Sequence, residues 1–271
     1  MRWRLLLHGP GHAAWNMAVD ETLFDSAVEG VAPPTVRFYG WARPTLSIGF
    51  RQNLSDACDF AACRRLGIDA VRRLSGGRAV LHDQELTYCV AASAREDFRG
   101  LSVLGIYRWV SDVLRRGLEG RGIALDPLPS STDKPSARSI PNDTLPCFAV
   151  PTGHEIASAG RKLVGGAQKW SRRGFMQHGS ILMGIDSALW SQALGPTAAA
   201  AVGAVSVNEL ASRRVETSEL MQDFAIEFEK ALGEPPSQDK LLPSEMKKAS
   251  SLAQCKYSSP EWNLFRRAMA V

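Results

Sequence analysis

The feature that most constrains this sequence is a proline-rich segment over residues 127–146. It reads PLPSSTDKPSARSIPNDTLP and holds five prolines. Because proline lacks a backbone donor and clashes with the preceding helical turn, this segment cannot form a packed helix or a central strand. We therefore predict a long, flexible surface loop, and loops of this length inside compact domains are usually functional or disordered. The loop leads directly into Cys147.

Hydrophobic periodicity predicts an α+β fold around this loop. Apolar residues at helical spacing predict helices over 13–28, 101–118 and 220–232, the last ending at Gly233. Strand patterns occur over 45–50, 69–74 and 79–93, and a hairpin-rich sheet is predicted over 155–183. Helices and strands occur in clusters rather than in alternation, which favours a mixed, largely antiparallel sheet.

Composition narrows the class of protein. Near the amino terminus the apolar run covers only residues 5–7, too short for a signal peptide or for a membrane span of about 20 residues. The five cysteines lack the paired spacing of a zinc site or a disulfide framework: Cys58, Cys63, Cys89, Cys147 and Cys255. A reducing cytoplasm is the compartment that fits this pattern.

The net charge of +4 is mild, and the basic residues are scattered. This is weak evidence for nucleic acid, which we do not expect as a partner. A modestly basic surface fits an acidic protein partner, because opposite charge raises encounter rates. It fits equally well a surface whose charge only maintains solubility.

The first candidate site is the stretch RRLSGGRAVLHD over residues 72–83. Adjacent glycines between two strands let the backbone approach a ligand, and their amides can hold a carbonyl oxygen or an anion. Read alone, the glycine pair is only a hairpin turn. The arginines Arg72, Arg73 and Arg78 could bind phosphates of a cofactor or of a carrier's prosthetic arm, or form a solvated face.

The second candidate is GRKLVGGAQ over residues 160–168, where glycines flank Lys162. A partly desolvated ammonium can donate to an oxyanion or act as an acid or base, although a lysine in a hairpin is usually just exposed. Cys147 is the third candidate. A thiol at the end of a mobile loop is accessible, and it becomes nucleophilic where a nearby cation such as Lys162 favours the thiolate. The other four cysteines have the pattern of small buried apolar residues.

The histidines do not predict a metal site. His82, His154 and His178 lack the spacing of a helical metal pair, so we expect no zinc. His178 lies in the stretch QHGSIL, which is more typical of a structural or substrate-lining turn. Neither a Walker loop nor a dinucleotide fingerprint is present.

Taken together, these segments resemble the superfamily of lipoate-protein ligase A, octanoyltransferases and biotin ligases. RRLSGGRAVLHD, GRKLVGGAQ and QHGSIL, in that order, look like the signature segments of its lipoate branch, and YSSPEWN at 257–263 resembles a later one. The closest likeness is to the cysteine-dependent octanoyl-[acyl-carrier-protein]:protein N-octanoyltransferases, whose nucleophile lies in a CF motif before a shared lysine. Cys147-Phe148 and Lys162 match both. Arg78 departs from the ligases, which usually carry glycine there beside the adenylate.

The resemblance implies one catalytic domain over residues 1–271, a mixed sheet flanked by helices, an apolar tunnel for the acyl chain, and no accessory domain. It implies Cys147 and Lys162 as catalytic residues. It also implies substrate-binding residues in three groups: Arg72, Arg73, Ser75, Gly76, Gly77, Arg78 and His82, then Gly165, Gly166 and Ala167, and finally His178.

The implied reaction is the first step of protein lipoylation. Cys147 takes octanoyl from octanoyl acyl-carrier protein, and a lysine of a lipoyl domain or of the glycine-cleavage H protein then receives it. Lys162 would stabilise the thiolate or the oxyanion and help to deprotonate the incoming lysine, while amides near Gly76 and Gly77 hold the acyl head. We expect a monomer without a cofactor, a metal or a membrane partner.

Three alternatives remain at this point. In an ATP-dependent lipoate-protein ligase, Lys162 and the glycine loop would hold an acyl-adenylate, and Cys147 would be incidental. A lipoyl amidotransferase would use the same cysteine. A non-catalytic binder of lipoate or lipoyl domains needs neither Cys147 nor Lys162, so the presence of both argues against it.

Overall fold

The computed structural model describes residues 2–53, 60–94, 98, 100–128, 147–149, 155–194 and 203–266. Most of the predicted proline-rich loop, from residue 129 to 146, lies outside the described residues, as do Cys58 and His154. The expectations for these residues therefore stay predictions.

Ten strands in the described residues form two sheets. The strands are β1 (Arg4–Gly11), β2 (Thr35–Trp41), β3 (Thr45–Ile48), β4 (Asp69–Arg72), β5 (Val80–His82), β6 (Glu85–Ser93), β7 (Ile156–Ser158), β8 (Arg161–Trp170), β9 (Gly174–Leu182) and β10 (Ser237–Gln238). The large sheet has the order β10-β1-β2-β6-β9-β8-β7, and the small sheet has the order β4-β3-β5. The pairs β10-β1 and β1-β2 are parallel, and the other pairs of the large sheet are antiparallel. The predicted mixed, largely antiparallel sheet is thus confirmed.

Eight helices lie in the described part of the chain. They are α1 (Ala13–Glu29), α2 (Phe60–Arg65), α3 (Val103–Glu119), α4 (Ser187–Leu194), α5 (Val207–Leu210), α6 (Thr217–Leu232), α7 (Pro243–Leu252) and α8 (Pro260–Phe265). Local sequence explains several ends. Gly30 and Gly233 follow α1 and α6 with φ of 72° and 77°, a left-handed conformation that favours glycine. The Ser102 hydroxyl caps α3 by accepting from the Gly105 amide at 3.1 Å.

The helices cover both faces of the large sheet. Helices α3 and α6 pack together, and their apolar side chains form one core with residues of β2, β6 and β9, for example Phe224 against Phe38. Helix α1 packs on β6, β9 and α7 with a second set of buried residues. The expected arrangement of a sheet flanked by helices is therefore present.

One predicted strand and one predicted cysteine environment differ from the structure. The strand over 79–93 is two strands, β5 and β6, which belong to different sheets and are separated by Asp83 and Gln84. Because apolar residues lie on both sides of this turn, the sequence pattern does not show that one strand ends and another begins. Cys63 and Cys89 are buried as predicted, but Cys255 is exposed, because it lies on the outer side of a π-helical turn over Ala253–Tyr257.

A candidate active site between the two sheets

Cys147 lies in a 3₁₀ turn over Cys147–Ala149, beside the small sheet. Its backbone N–H donates to the carbonyl of Ala79, the residue before β5, at 2.8 Å. The Cys147 side chain is half-buried, whereas Phe148 is fully buried and packs against Trp190. The turn is therefore anchored on both sides, and it leaves the thiol partly accessible.

The ammonium of Lys162 reaches this turn from the large sheet. Lys162 lies on β8 and is 1% exposed. Its Nζ lies 3.2 Å from Cys147 Sγ, 2.8 Å from the Cys147 carbonyl oxygen and 2.5 Å from Glu155 Oε1. An ammonium has three hydrogens to donate, and these three acceptors match them. The prediction that Lys162 lies close to Cys147 is confirmed at atomic distance.

Lys162 is a cation at neutral pH. Burial lowers its pKa, but the charges of Cys147 and Glu155 and their hydrogen bonds outweigh burial, so the pKa is raised above 10.5. A fixed cation 3.2 Å from the sulfur attracts the thiolate, which is the nucleophilic form of cysteine. The Cys147, Lys162 and Glu155 group therefore has the composition of an activated nucleophile.

A glycine on β8 is required for this packing. A Cβ added to Gly165 would lie 3.1 Å from Lys162 Cε and 3.2 Å from Phe148 Cζ. Both neighbours are buried and have little room to move. Gly165, the first glycine of the pair in GRKLVGG, thus lets Lys162 and the CF turn meet across the strand.

The SGG turn reaches the site from the small sheet. A Cβ on Gly49 would lie 1.9 Å from the Gly77 carbonyl oxygen, and Gly77 has φ of 91°, so both positions favour glycine. Within the described part of the chain, no acceptor takes the backbone N–H of Gly76, Gly77 or Arg78. These amides are available to a carbonyl oxygen or an anion.

Arg73 holds this turn in place. Its Nη1 donates to the Ser47 hydroxyl and carbonyl at 2.6 and 2.9 Å, and its Nη2 donates to the carbonyls of Gly76 and Arg78 at 3.1 and 2.9 Å. Burial lowers the pKa of Arg73 to about 10, against the opposing effect of the Cys147 charge. At neutral pH it is a buried cation that adds positive potential near Cys147.

His178 belongs to a buried hydrogen-bonded chain. Its Nε2 lies 2.6 Å from the Ser75 hydroxyl, and its Nδ1 lies 2.9 Å from Asp20 Oδ2. Burial raises the pKa of Asp20, but the Arg37 cation and the hydrogen bonds from His178 and Tyr39 reverse this, so the pKa falls below its usual value. An ionised Asp20 accepts, so Nδ1 carries a proton and Nε2 faces the Ser75 hydroxyl.

His82 belongs to a second chain of the same kind. Its Nε2 lies 2.6 Å from Ser47 Oγ, its Nδ1 lies 2.8 Å from Glu85 Oε1, and its ring stacks on Trp41 at 4.1 Å between centroids. Both ring nitrogens are therefore occupied. Glu85 Oε1 also accepts from Trp41, Thr87 and Ser180, whereas the buried Oε2 has no partner among the described residues. This cluster positions the His82 ring.

These elements enclose a small cavity of about 40 Å³. That volume holds one or two water molecules, so a larger ligand has to move lining side chains apart. Of the predicted site residues, the following line it: Cys147, Arg73, Gly77, His82, Gly165, Gly166, Ala167 and His178. Apolar contributions come from Met17, Tyr39, Trp41 and Val80. The cavity is thus apolar on one side, with the thiol in its wall.

The remaining predicted residues lie elsewhere. Lys162 is buried behind Cys147, Ser75 lies behind His178, and Gly76 and Arg78 line a neighbouring groove. Arg72 is not brought to the cavity. It is fully buried, and its guanidinium donates to carbonyls of residues 49, 50, 52 and 262–264. Its guanidinium therefore holds α8 against β4, and Arg72 does not line the cavity.

Sequence reasoning missed several residues of the site. Glu155 carried no signal, because one glutamate before a hairpin looks like any other. Asp20 lies in the predicted first helix, and only the fold brings it to His178. Glu85 had a weak signal in its position three residues after His82, across a turn.

No group of three or more metal-binding side chains occurs among the residues that the structure describes. None of the described helices is both long and apolar enough to cross a bilayer.

Comparison with known proteins places this geometry in a family. Residues 12–229 match the family described as the lipoyl protein ligase A/B catalytic domain. Octanoyltransferase LipM of Geobacillus kaustophilus is 38% identical over 97% of this chain and 98% of its own, and that of Bacillus subtilis is 35% identical with the same coverage. Among solved structures, the chain is similar to the bipartite lipoate protein ligase of Thermoplasma acidophilum, which was studied with its E2 lipoyl domain. The TM-score is 0.80 at 22% identity, and the match covers 100% of this chain and 99% of the other. The last likeness shows the shared fold. The chain belongs to the lipoyl protein ligase A/B catalytic-domain family.

Proposed function

We propose that this protein is an octanoyltransferase of protein lipoylation, in which Cys147 carries the octanoyl group as a thioester. The observation that carries the proposal is the distance of 3.2 Å between Lys162 Nζ and Cys147 Sγ, with Glu155 on the far side of the ammonium. Two relatives at 38% and 35% identity, both octanoyltransferases, support the same activity over nearly the full chain.

In the first half-reaction the Cys147 thiolate attacks the carbonyl carbon of an octanoyl thioester. The new bond joins Cys147 Sγ to the acyl carbon, and the bond between that carbon and the donor sulfur breaks. Lys162 gives a proton to the departing thiolate. The negative charge on the carbonyl oxygen in the transition state requires nearby donors, and the unused amides of Gly76 and Gly77 supply them.

In the second half-reaction the amine of a lysine on the acceptor protein attacks the thioester on Cys147. The new amide bond forms as the bond to Sγ breaks. Lys162, neutral after the first step, takes the proton that the amine loses, and the pair of thiolate and ammonium is restored. In the resting enzyme Lys162 is a charge partner, because its pKa is raised, and it becomes a base only after acylation.

The reaction needs no ATP on this route. One thioester replaces another in the first step at nearly equal free energy, and the amide formed in the second step is much more stable. The acyl group is therefore activated before it reaches the enzyme, and we assign no cofactor.

The partners follow from this chemistry. We propose octanoyl acyl-carrier protein as donor, and a lipoyl domain or the glycine-cleavage H protein as acceptor. A net charge of +4 favours encounter with acidic carriers. A reducing cytoplasm would keep the Cys147 thiol available, and a monomer suffices, since one chain supplies all three residues of the nucleophilic group.

The test is the intact mass of the protein after mixing with octanoyl acyl-carrier protein in the absence of ATP. The wild type should gain one octanoyl group, and neutral hydroxylamine should remove it, because hydroxylamine cleaves a thioester and leaves an amide intact. Cys147→Ser should form no hydroxylamine-sensitive adduct. Cys255→Ser is the matched control, since Cys255 is exposed and lies outside the cavity.

Transfer to an apo lipoyl domain completes the experiment. It should follow from the isolated acyl-enzyme with neither ATP nor magnesium. If transfer required ATP and free octanoate while the thioester donor failed, the protein would be a ligase. Full activity of folded Cys147→Ala, which has no nucleophilic side chain at this position, would rule out the covalent route.

A further inference from the structure

A basic groove adjoins the cavity on the far side of the glycine turn. It has a volume of about 700 Å³ and is lined by residues 50–53, 74, 76–78 and Lys169. Three cations, Arg51, Arg78 and Lys169, face it, and none of the described lining residues is acidic. None of these cations forms an ion pair within the described ranges. No described side chain therefore neutralises their positive charge.

The groove and the cavity lie along one face of β8. On this face Gly165 meets Lys162 and Phe148, and a Cβ on Gly77 would lie 3.7 Å from Cβ of Ala167. Lys169 follows on the same face, with its Nζ 5.9 Å from the ring centroid of Phe50, because alternate residues of a strand point the same way. The strand therefore connects the nucleophile with the basic groove.

Strand geometry gives the separation. Gly165 and Lys169 are four residues apart, which corresponds to roughly 14 Å at the rise of an antiparallel strand. The glycine turn lies between them, and its amides at 76–78 have no acceptor within the described part of the chain. A ligand that reaches from the Cys147 cavity to the basic groove therefore has a reactive carbonyl at the cavity end, an anion at the groove end and an uncharged chain between them.

We propose that this groove binds the phosphate of the 4′-phosphopantetheine arm that carries the acyl group, with Lys169 and Arg78 as phosphate-binding residues. An arm of amide and methylene groups with ordinary bond lengths spans about 16 Å from its sulfur to its phosphorus, which matches the separation along β8. The inference rests on the proposed function, because it takes a carrier-bound thioester as donor. It adds a binding site for one part of that donor.

The chemistry of the groove favours a phosphate. Arginine and lysine form charge-assisted hydrogen bonds with phosphate oxygens, and an arginine can hold two of these oxygens at once. Arg78 and Lys169 both line this groove, so two cations are available to one phosphate group. Phe50 and Leu74 provide apolar surface for the methyl groups of the arm.

The kinetic test compares two small donors, S-octanoyl-pantetheine and S-octanoyl-4′-phosphopantetheine, by the kcat/KM of Cys147 acylation. The wild type should prefer the phosphorylated donor by about ten-fold or more, and salt should reduce this ratio. Lys169→Gln and Arg78→Gln should each lower the ratio roughly three- to ten-fold. Lys247→Gln removes an exposed charge on α7, outside the groove, and should leave the ratio unchanged.

A binding measurement separates the groove from the chemistry. Calorimetry with 4′-phosphopantetheine and with pantetheine, neither of them acylated, should give the same preference and the same loss in Lys169→Gln. If neither thioester acylates Cys147, the proposed function fails, but this binding ratio still decides the site. A ratio near one in the wild type, or a ratio that neither variant changes, overturns the proposal. The proposal is also overturned if ATP binds more tightly than phosphopantetheine and the affinity for ATP falls in Lys169→Gln. The groove would then bind a nucleotide.

Discussion

The substitution Glu155→Gln tests how the buried lysine is kept charged. Glu155 Oε1 accepts one of the three hydrogen bonds that Lys162 Nζ donates, and the two side chains are 7% and 1% exposed. Glutamine has the same size and can still accept a hydrogen bond. The change therefore removes the negative charge beside Lys162, and among the described residues Lys162 keeps the Cys147 sulfur as its anionic partner.

The expected magnitude follows from burial. Leaving one partner of a buried ion pair without its counter-charge costs about 3–5 kcal/mol, and we take the lower end because the thiolate remains. A deprotonated lysine avoids this cost, and about 1.4 kcal/mol corresponds to one pH unit. Acylation requires the charged lysine, so its rate should start to fall about two pH units earlier in the variant than in the wild type.

The assay is the initial rate of octanoyl-enzyme formation from a small thioester, followed by intact mass between about pH 6 and about pH 10. The pKa of Lys162 lies above 10.5 in the wild type, since Cys147 and Glu155 together outweigh burial. The wild-type rate should therefore not decline at the alkaline end. In Glu155→Gln it should decline there, and Glu155→Asp should restore part of the wild-type profile.

A purely structural role for Glu155 would give a different result. It would lower the rate at every pH without moving the alkaline limb. Glu209→Gln is the matched control, because Glu209 pairs with Arg161, the neighbour of Lys162, on the surface. An alkaline limb in Glu155→Gln that coincides with that of the wild type would refute the reasoning.

Three further predictions concern packing, buried charge and encounter. Gly165→Ala should slow acylation at least about ten-fold by displacing Lys162, whereas Gly9→Ala, with no atom within 4 Å of the added Cβ, should not. Asp20→Asn should lower the free energy of unfolding in urea by about 3–5 kcal/mol, because it leaves buried Arg37 without its anion. Since the pKa of Asp20 lies below its unfolded value of 3.8, this difference should be complete above that pH and shrink as the pH falls below it. Raising salt from about 50 to about 500 mM should lower kcat/KM with the carrier-protein donor more than with a small thioester, as second-order rates will show.

The sequence predicted best those elements that carry a single periodicity with a clear stop. Helix α1 was predicted over 13–28 and spans Ala13–Glu29, and the predicted end of α6 at Gly233 is correct. The strand over 79–93 was wrong in one respect, because it was drawn through the polar residues 82–85, where β5 ends and β6 begins. Periodicity reports burial, and it does not report to which sheet a strand belongs.

The same limit applies to the site. Adjacent glycines and a lone lysine are visible in a sequence, so the approach of Lys162 to Cys147 could be predicted. The partner of a buried charge depends on which distant segment the fold brings near. For that reason Glu155 was missed, and Arg72 was placed among the ligand-binding residues although it holds α8.

Because the site is divided between two sheets, activation of the thiol depends on the formation of both sheets in a newly synthesised chain. The thiol is attached to the small sheet through Ala79, whereas the cation that activates it is part of β8 in the large sheet. A chain in which only one sheet has formed holds a cysteine without its lysine. A chain of this kind would react slowly with thioesters, because a thiol without a cation beside it is mostly protonated at neutral pH. Chemical competence therefore requires both sheets, because neither sheet alone holds the thiol and its activating cation together.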